Sequence, residues 1–488
     1  MKRNLTLLLA LLLLAGTTSC DGDSPEVVTT TSADETTAPE PEGDGLPEVD
    51  MGGYVFSIYH CDQDKMTWTN LTLDVEEQTG DALDDAIFKR NRSAEERFNC
   101  VIEVTEYTDN QRITANDIAT EVMAGDCSYD FWLTRDYEIC NSIPYLRPLG
   151  DLPYINLDAE WWFPQASEIF RFNGEQYGAT SYFSLSPISR AAGFAFNEDM
   201  YEIIGADKSL YDYVREDKWT LDTFFDICKL ATVDLNGDTV IDDNDRRGLG
   251  SSWKETRVRF INGSGVKFIE KNGDSYPEFT LPENETAVNK MMRIFDLSND
   301  KDIYDNQIEN MDNAAPCTIQ NGKALFAIGN PNTMGTTYRT VDMNVGFVPC
   351  PKYDENQDRY YASTWGGEMM LLLKTLPDDR LENMSIILEA LSYDSAKDDG
   401  VMEIYKEIMM KGKYAINENC MEMFDIVLDS ISFDFGVIAW EGTVINPLIK
   451  DIYASREGNV ASTLAKHEPN VNGIIDTLIE NIEGNIES

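Results

Sequence analysis

The chain has 488 residues, of which 87 are acidic, 39 are basic and only two are histidine, and its formal net charge is −48. This surplus of negative charge excludes nucleic acid as a partner, because the phosphate backbone would be repelled. The scarcity of histidine argues against Ser/His/Asp triads, Cys/His pairs and histidine-based zinc sites. Catalysis by a pair of carboxylates is not excluded by composition, but no spacing in the sequence identifies such a pair. We therefore predict no catalytic residue.

Residues 1–20 have the pattern of a lipoprotein signal peptide. Lys2 and Arg3 precede an apolar run that is shorter than the roughly 18 to 20 residues needed to cross a bilayer as a helix. Cys20 follows the small residues that close the signal, so we expect cleavage before it and acylation of its sulfur. Thr17 stands where leucine is usual, which leaves ordinary cleavage as the alternative. The mature chain is therefore expected on the extracellular face of the cell membrane, held by a lipid anchor.

Residues 21–50 contain ten acidic and no basic residues, with little that is large and apolar, which predicts a disordered acidic linker. The rest of the chain is long enough to build two cores. Eight cysteines remain besides Cys20, without a CxxC motif. A chain of this length needs no disulfide framework, so we predict mostly buried, reduced thiols.

Strand and helix patterns alternate from residue 54. Strand-like runs at 54–60, 100–107 and 129–133 are separated by two helical patterns, the first capped by Thr79 and the second ending at Gly125. This order predicts a βαβαβ unit with parallel strands, and therefore an α/β fold.

Further along the chain, strand-like runs break the alternation, as expected where a chain crosses between two lobes. These runs lie at 176–182, 191–196 and 343–349. Helical patterns are predicted at 221–231, 285–297, 381–393, 401–411 and 421–430, and from about residue 460 to the end.

The segment DLNGDTVIDDND resembles a calcium-binding loop of the EF-hand type. Thr239 stands where such loops have glycine, so we expect Gly237 to relieve the turn, and Asp245 replaces the usual bidentate glutamate. The alternative is an acidic surface turn. We predict a structural Ca²⁺ ion with oxygen ligands from Asp234, Asn236, Asp238, the Val240 carbonyl, Asp242 and Asp245.

Aromatic residues at predicted loops indicate a carbohydrate site. Sugars present flat C–H faces and rims of hydroxyls, so their sites combine aromatic platforms with Asp, Asn and Arg side chains. Ligands of open α/β sheets bind beyond the carboxyl ends of the strands. Each tryptophan taken singly is more often a core residue than a platform. The candidates are Trp132, Arg135 and Asp136 after the third strand, Trp253 after the calcium-like loop, and Trp365 beside Gly366 and Gly367.

The order of motifs resembles the extracellular solute-binding protein family 1, the group that includes maltose-binding protein. Three stretches carry the resemblance: FNGEQYGATSYFSLSPISRAAGFAFNEDMY from Phe172, WTLDTFFDICKLA from Trp219, and NVGFVPCPKYDENQDRYYASTWGG from Asn344. The resemblance implies a two-lobed, type II periplasmic-binding-protein fold, each lobe a mainly parallel sheet flanked by helices. Lobe I would comprise 51–182 with 350–392, and lobe II 183–349 with 393–488.

The resemblance also implies a function. The protein would capture a sugar or oligosaccharide by lobe closure and present it to ABC transporter permease subunits, acting as a monomer. Positions matching the family's ligand contacts add Tyr182, Ser252, Asn330, Phe433 and Trp440 to the candidates. Two alternatives remain: a secreted glycan hydrolase or lyase, and a surface glycan-binding protein without a transport role.

Overall fold

A computed structural model describes most of the chain after the predicted linker. The signal peptide with Cys20, most of the linker, Cys317 and Trp365 lie outside the described residues, as does the side chain of Trp253. The described ranges are 43–61, 72–107, 112–300, 302–303, 318–338, 341–364, 366–411, 418–455 and 459–486.

Thirteen strands of the described residues form four sheets. They are β1 (Tyr54–Cys61), β2 (Cys100–Tyr107), β3 (Phe131–Arg135), β4 (Leu146–Arg147), β5 (Arg171–Phe172), β6 (Glu175–Gln176), β7 (Gly193–Asn197), β8 (Arg247–Leu249), β9 (Ala324–Gly329), β10 (Val345–Pro349), β11 (Ala362–Ser363), β12 (Glu368–Leu373) and β13 (Ile431–Ser432).

Helices cover the sheets and build most of the C-terminal part. They are α1 (Ala82–Phe98), α2 (Ala115–Ala124), α3 (Ile139–Ser142), α4 (Pro164–Ser167), α5 (Ser186–Ser189), α6 (Glu198–Ile203), α7 (Leu210–Arg215), α8 (Leu221–Ala231), α9 (Trp253–Gly263), α10 (Glu285–Ser298), α11 (Pro331–Gly335), α12 (Leu381–Ala396), α13 (Val401–Lys411), α14 (Glu418–Asp429), α15 (Phe435–Trp440), α16 (Asn446–Ala454) and α17 (Val460–Ile486). A π-helical turn, Glu441–Ile445, joins α15 to α16. No helix in the described ranges is long and apolar enough to cross a membrane.

The first large sheet has five strands in the order β2-β1-β3-β12-β4. Strand β1 pairs in parallel with both β2 and β3, which confirms the predicted βαβαβ unit. Strand β12 arrives from far along the chain and pairs antiparallel with β3, placing Glu368 opposite Arg135. The carboxyl end of β3 therefore meets the beginning of β12.

The second large sheet has four strands in the order β10-β7-β9-β8. Only the pair β8 and β9 is parallel, while β7 is antiparallel to both neighbours. The two sheets are thus mixed, and the expectation of mainly parallel sheets is wrong in this respect. The antiparallel pairs involve strands that enter a sheet from distant segments, and such strands are not bound to the parallel crossover of a βαβ unit. The chain passes from the first sheet to the second after β4 and returns to the first at β12.

The structure differs from the sequence prediction in three places, two of them decided by local hydrogen bonds. Helix α1 is capped by Asp81, whose carboxylate accepts from the amides of Leu83 and Asp84, and not by Thr79. The run predicted as a strand at 176–182 is a strand only at its first residue. The Gln176 side chain donates to the carbonyls of Ser167 and Gly178, and only one isolated bridge to β12 follows, at residue 179.

The third difference concerns the end of the predicted linker. Leu46 and Val49 pack against the core of the first sheet, and Asp44 and Glu48 form ion pairs with Arg97 of α1. The acidic composition therefore does not keep residues 44–50 disordered, because two apolar side chains and one arginine give this short segment something to bind.

The cysteines follow the prediction from composition. Seven are described, none of them is in a disulfide, and six of the seven are buried; the exception, Cys127, is half-buried. Burial raises the pKa of the Cys61 thiol to about 12, so this thiol stays protonated and inert.

Candidate ligand-binding site

Arg135 and Asp136 lie where the sequence places them, at the carboxyl end of a buried strand, and both are almost completely buried. The backbone amide of Asp136 donates to the Gly367 carbonyl over 3.0 Å. The Asp136 carboxylate accepts from the amides of Gly367, at 3.1 Å, and Tyr137, at 2.9 Å. Two hydrogen bonds between Asp136 and Gly367 thus join the end of β3 to the pair of glycines that follows Trp365 in the sequence.

Trp365 itself lies outside the described residues, but both of its neighbours are described. The Thr364 hydroxyl donates to the Pro187 carbonyl over 3.0 Å. Gly366 has a φ of +63°, a conformation that side-chain-bearing residues rarely adopt. A Cβ atom at Gly366 would stand 3.3 Å from Nη2 of Arg135 and 3.9 Å from Nη2 of Arg190. Two guanidinium groups therefore flank the backbone immediately after Trp365.

Arg190 and Arg259 are functional candidates that the sequence prediction missed. Arg190 follows helix α5 and Arg259 lies on α9, and both are buried. Arg259 donates from Nη1 to the Ser363 hydroxyl over 2.9 Å, and its Nη2 is 3.7 Å from the Glu441 carboxylate. Burial, together with the positive charges of Arg135 and Arg259, lowers the pKa of Arg190 to about 10, and Glu255 and Glu441 oppose the shift. The three arginines therefore share one electrostatic environment.

The carboxylates of this cluster hold their protons more tightly than carboxylates in water. Burial raises the pKa of Asp136 to about 7 and that of Glu368 to about 7, although Arg135 opposes both shifts. Burial also raises the pKa of Glu441. We refer to Arg135, Asp136, Arg190, Arg259, Glu368 and Glu441 as the arginine cluster.

Trp132 does not face this cluster. It is on the same strand as Arg135 but three residues earlier, so the two side chains point to opposite faces of the sheet. Its ring packs edge-on against Tyr59, at 4.9 Å, and Tyr129, at 6.0 Å, and it is 3% exposed. Its indole Nε1 is buried without a hydrogen-bond partner among the described residues. The contacts of Trp132 are those of a core aromatic residue.

Four of the candidates drawn from the family resemblance have clear structural surroundings. Tyr182 is half-buried and packs edge-on against Phe163 at 4.6 Å. Phe433 and Trp440 are buried in the hydrophobic core, and Trp440 packs edge-on against Phe435 at 5.0 Å. Asn330 caps helix α11, where its side chain accepts from the Thr333 amide.

The remaining two candidates lie at the beginning of α9, the helix that carries Arg259. Ser252 is completely buried at the N-cap position, and Trp253 is the first residue of the helix. This places them on the same element as one arginine of the cluster.

The loop from Asp234 to Asp245 has a tight turn held by its own carboxylates. Asp234 accepts from the amides of Gly237 and Thr239, and Asp245 accepts from those of Leu235 and Asp242. Thr239 has a φ of +71° and Gly237 a φ of +80°. Gly237 therefore does not replace the usual glycine, as we had expected, because the threonine adopts the left-handed conformation as well.

The donor set of this loop fits a hard cation. A carboxylate oxygen that accepts one amide still has a second lone pair for a metal ion. Within the described residues, however, no group of three or more His, Cys, Asp or Glu side chains is arranged to hold a metal ion. Asp238 is exposed and Asp242 half-buried, and their carboxylates accept hydrogen bonds within the loop, Asp238 from Asn236 and Val240 and Asp242 from Asn244.

Sequence comparison finds no matching protein-family model and no matching curated protein. Comparison with solved structures, in contrast, finds many similar chains. The cyclic alpha-maltosyl-1,6-maltose binding protein from Arthrobacter globiformis aligns with a TM-score of 0.56 at 13% identity, over 87% of this chain and 100% of that chain. The ABC substrate-binding protein from Listeria monocytogenes in complex with cycloalternan has a TM-score of 0.52 at 12% identity, over 88% and 100%.

A third similar structure has a ligand of a different class. UgpB from Mycobacterium tuberculosis, in complex with glycerophosphocholine, aligns with a TM-score of 0.51 at 13% identity, over 88% of this chain and 99% of that chain. The structural similarity extends over nearly the full length of each of these proteins. At such low sequence identity it shows only the fold. The chain thus has the two-lobed α/β architecture of the type II periplasmic-binding-protein fold.

Proposed function

We propose that this protein is the extracellular carbohydrate-binding component of an ABC importer, and that it captures a sugar or oligosaccharide between its lobes. The observation that carries the proposal is the arginine cluster beside Gly366 and Gly367, in a fold whose similar structures include binding proteins for cyclic maltosides and cycloalternan. Arginine and carboxylate groups at the end of a buried strand are suited to bind hydroxyl groups. Trp365, between Thr364 and Gly366, would supply the aromatic platform.

The proposed mechanism is capture by lobe closure. In the ligand-free protein the lobes would move apart about the segments that join the two sheets, and a bound sugar would favour the closed form. The closed form would be presented to permease subunits by a monomer. A lipid at Cys20 would hold the protein at the membrane, and the acidic segment after it would act as a tether. The lobe boundaries at residues 182/183, 349/350 and 392/393 belong to this proposal.

The proposal is one of binding without catalysis. A glycoside hydrolase needs a protonated carboxyl and an ionised carboxylate on either side of one glycosidic bond. Asp136 binds backbone amides of its own loop, which gives it a structural role beside the site. We therefore propose that saccharides leave the site unchanged.

The calcium-like loop has a structural part in the proposal. The 12-residue loop contains five carboxylates, which repel one another, and a cation bound by Asp234, Asn236, Asp238, the Val240 carbonyl, Asp242 and Asp245 would reduce that repulsion. The loop leads directly into β8, so ordering it would stabilise the edge of the second sheet.

A saccharide panel tests the proposed function. The mature chain without its lipid is titrated calorimetrically with mono- and oligosaccharides, both neutral and acidic, and each mixture is analysed chromatographically for products. We expect at least one saccharide to bind at micromolar concentration or tighter and to be recovered intact. Conversion of a bound glycan would instead identify a hydrolase or lyase. Failure of every saccharide to bind would refute sugar capture. Permease genes beside the gene for this chain would distinguish an importer from a surface adhesin.

A further inference from the structure

The guanidinium group of Arg135 is buried without a matching anion. Arg135 is 2% exposed, and its Nε and Nη1 atoms have no hydrogen-bond acceptor among the described residues. Asp136 and Glu368 are the carboxyls on whose protonation its charge acts. An uncompensated buried charge is costly, so its retention requires an explanation.

The two nearest carboxylates do not supply the missing acceptor. The oxygens of Asp136 accept backbone amides, one from Gly367 and one from Tyr137. Glu368 stands opposite Arg135 in the antiparallel pair, but neither of its carboxylate oxygens has a hydrogen-bond partner among the described residues. Burial raises the pKa of both carboxyl groups to about 7, so each is partly neutral at neutral pH. The positive charge of Arg135 is therefore only partly offset.

Two further guanidinium groups increase the positive charge at this point. Nη2 of Arg190 and Nη2 of Arg135 lie within 4 Å of the same point beside Gly366. Arg259 adds a third positive charge, which is felt by Arg190 and is partly offset by Glu441. The three residues come from three separate elements: the end of β3, the end of α5 and the middle of α9. Glu255 and Glu441 oppose the lowering of the pKa values of Arg190 and Arg259, so the charges of these two arginines are partly offset.

We propose that the captured ligand is an acidic saccharide, and that its oxyanion binds between Arg135 and Arg190 beside Gly366, with Arg259 reinforcing the positive field. This proposal rests on the proposed function, because it names the class of sugar that the same site takes. The planar guanidinium fork matches carboxylate, sulfate and phosphate oxygens in a bidentate manner.

A neutral sugar would explain the cluster less well. Hydroxyl groups can accept hydrogen bonds from Arg135, but they do not reduce the repulsion between Arg135 and Arg190. An anion does both, and in a buried site the second contribution is large because screening by water is weak. The glycine also fits this role, because a side chain at position 366 would occupy the space between the two guanidinium ends.

Matched ligand pairs test the proposal. Calorimetric titrations compare galacturonate and glucuronate oligosaccharides with their methyl esters, which keep the rings and remove the charge. Sulfated disaccharides and sugar phosphates form two further arms, and maltose-type and cellulose-type oligosaccharides represent neutral glycans. We expect one acidic series to bind at least tenfold more tightly than its neutral counterpart, and the arm that binds identifies the oxyanion.

Substitutions at Arg135 test whether the arginine cluster causes the preference for acidic ligands. Arg135→Gln should weaken binding of the acidic ligand by roughly 30-fold or more, and should change binding of its methyl ester less than about threefold. Arg135→Lys keeps the charge but loses the fork, and should fall between the two. The control is Arg147→Gln in the same sheet, since Arg147 pairs with Asp151 and Asp378 outside the cluster. Melting temperatures verify that each variant is folded, and if Arg135→Gln does not fold, Arg135→Lys and Arg190→Gln provide the comparison.

The outcomes separate the two proposals. Equal or tighter binding of the neutral partner in every pair, or an acid preference that persists in folded Arg135 and Arg190 variants, would overturn the acidic ligand but would leave sugar capture intact. If no saccharide of either kind binds, both proposals fail together.

Discussion

Replacement of Glu368 by glutamine should make the protein more stable at neutral and alkaline pH. Glu368 is completely buried in β12, and both of its carboxylate oxygens lack hydrogen-bond partners among the described residues. Burial raises its pKa from 4.5 to about 7, with Arg135 opposing the shift. Glutamine has the shape of the protonated side chain but cannot ionise, so the variant avoids the cost of a buried charge.

The sign and the size of the expected stability gain follow from proton linkage. Between pH 4.5 and 7 the folded protein binds a proton at Glu368 that the unfolded chain has released, so the wild-type contribution to stability falls as the pH rises. The loss is complete above pH 7 and amounts to on the order of 3 kcal/mol, since one pKa unit corresponds to about 1.4 kcal/mol. Glu368→Gln should therefore gain stability relative to the wild type across this interval, and the gain should level off above it.

Urea unfolding of the ligand-free protein at half-unit steps from pH 4.5 to 8.5 measures this difference. The difference in unfolding free energy between the two proteins at pH 4.5 contains any effect of the substitution that does not depend on pH. This value is subtracted from the difference at every higher pH. The m-value must stay the same in both proteins. The control is Asp50→Asn, because the pKa of that exposed carboxyl is lowered by Asn99 and Gly52. The ionised Asp50 stabilises the fold above pH 3.8, and its contribution is lost only below that value, so the stability difference between Asp50→Asn and the wild type should stay constant from pH 4.5 to 8.5. A stability difference for Glu368→Gln that does not change with pH would refute the reasoning.

Four further predictions concern the proposed function. Trp365→Ala should lose about 1 to 3 kcal/mol of saccharide affinity at an unchanged melting temperature, whereas the core variant Trp219→Ala should lose about 3 to 5 kcal/mol of stability; the reverse pattern would place Trp365 in the core. Millimolar calcium should raise the melting temperature over that in chelator, and Asp238→Ala should abolish the rise; identical melting curves would refute a calcium site. Thr239→Gly should stabilise the loop by about 1 kcal/mol in urea unfolding, because it removes a β-branched residue from a φ of +71°, and a destabilised variant would contradict that strain. Cys20→Ser should move the protein from the membrane fraction to the medium, and unchanged membrane binding would place the anchor elsewhere.

The parts of the fold that local sequence determines were predicted well. Strand β2 and helix α8 begin and end at the predicted residues, and helix α2 ends at Gly125 in the left-handed conformation expected of a C-terminal glycine. In these segments the apolar periodicity and the cap residues point to the same boundaries. The two-lobed fold itself followed from the order of motifs along the chain, which the comparison with solved structures supports.

Errors occurred where a partner from a distant segment decides the structure. The direction of β12 in the first sheet depends on where the chain returns from the second sheet, which no local pattern records. Residues 44–50 are held by Arg97, 53 residues after Asp44, and by the core of the first sheet. Thr239 keeps the left-handed turn without glycine because the Asp234 carboxylate binds its amide. In the first two cases tertiary contacts outweigh the local preference, and in the third a hydrogen bond within the loop does so.

The site could be predicted only in part, for a related reason. Arg135 and Asp136 were recognisable because a charged pair at the end of a buried strand has no structural explanation in the strand itself. Arg190 and Arg259 gave no such signal, since each lies beside a short helix or on a helix face where an arginine normally reaches solvent. Their importance depends on burial beside Gly366, and that proximity is set by how the two sheets meet. Sequence thus indicated two residues of the proposed ligand site, while the charges that we propose select the ligand come together only through three distant elements.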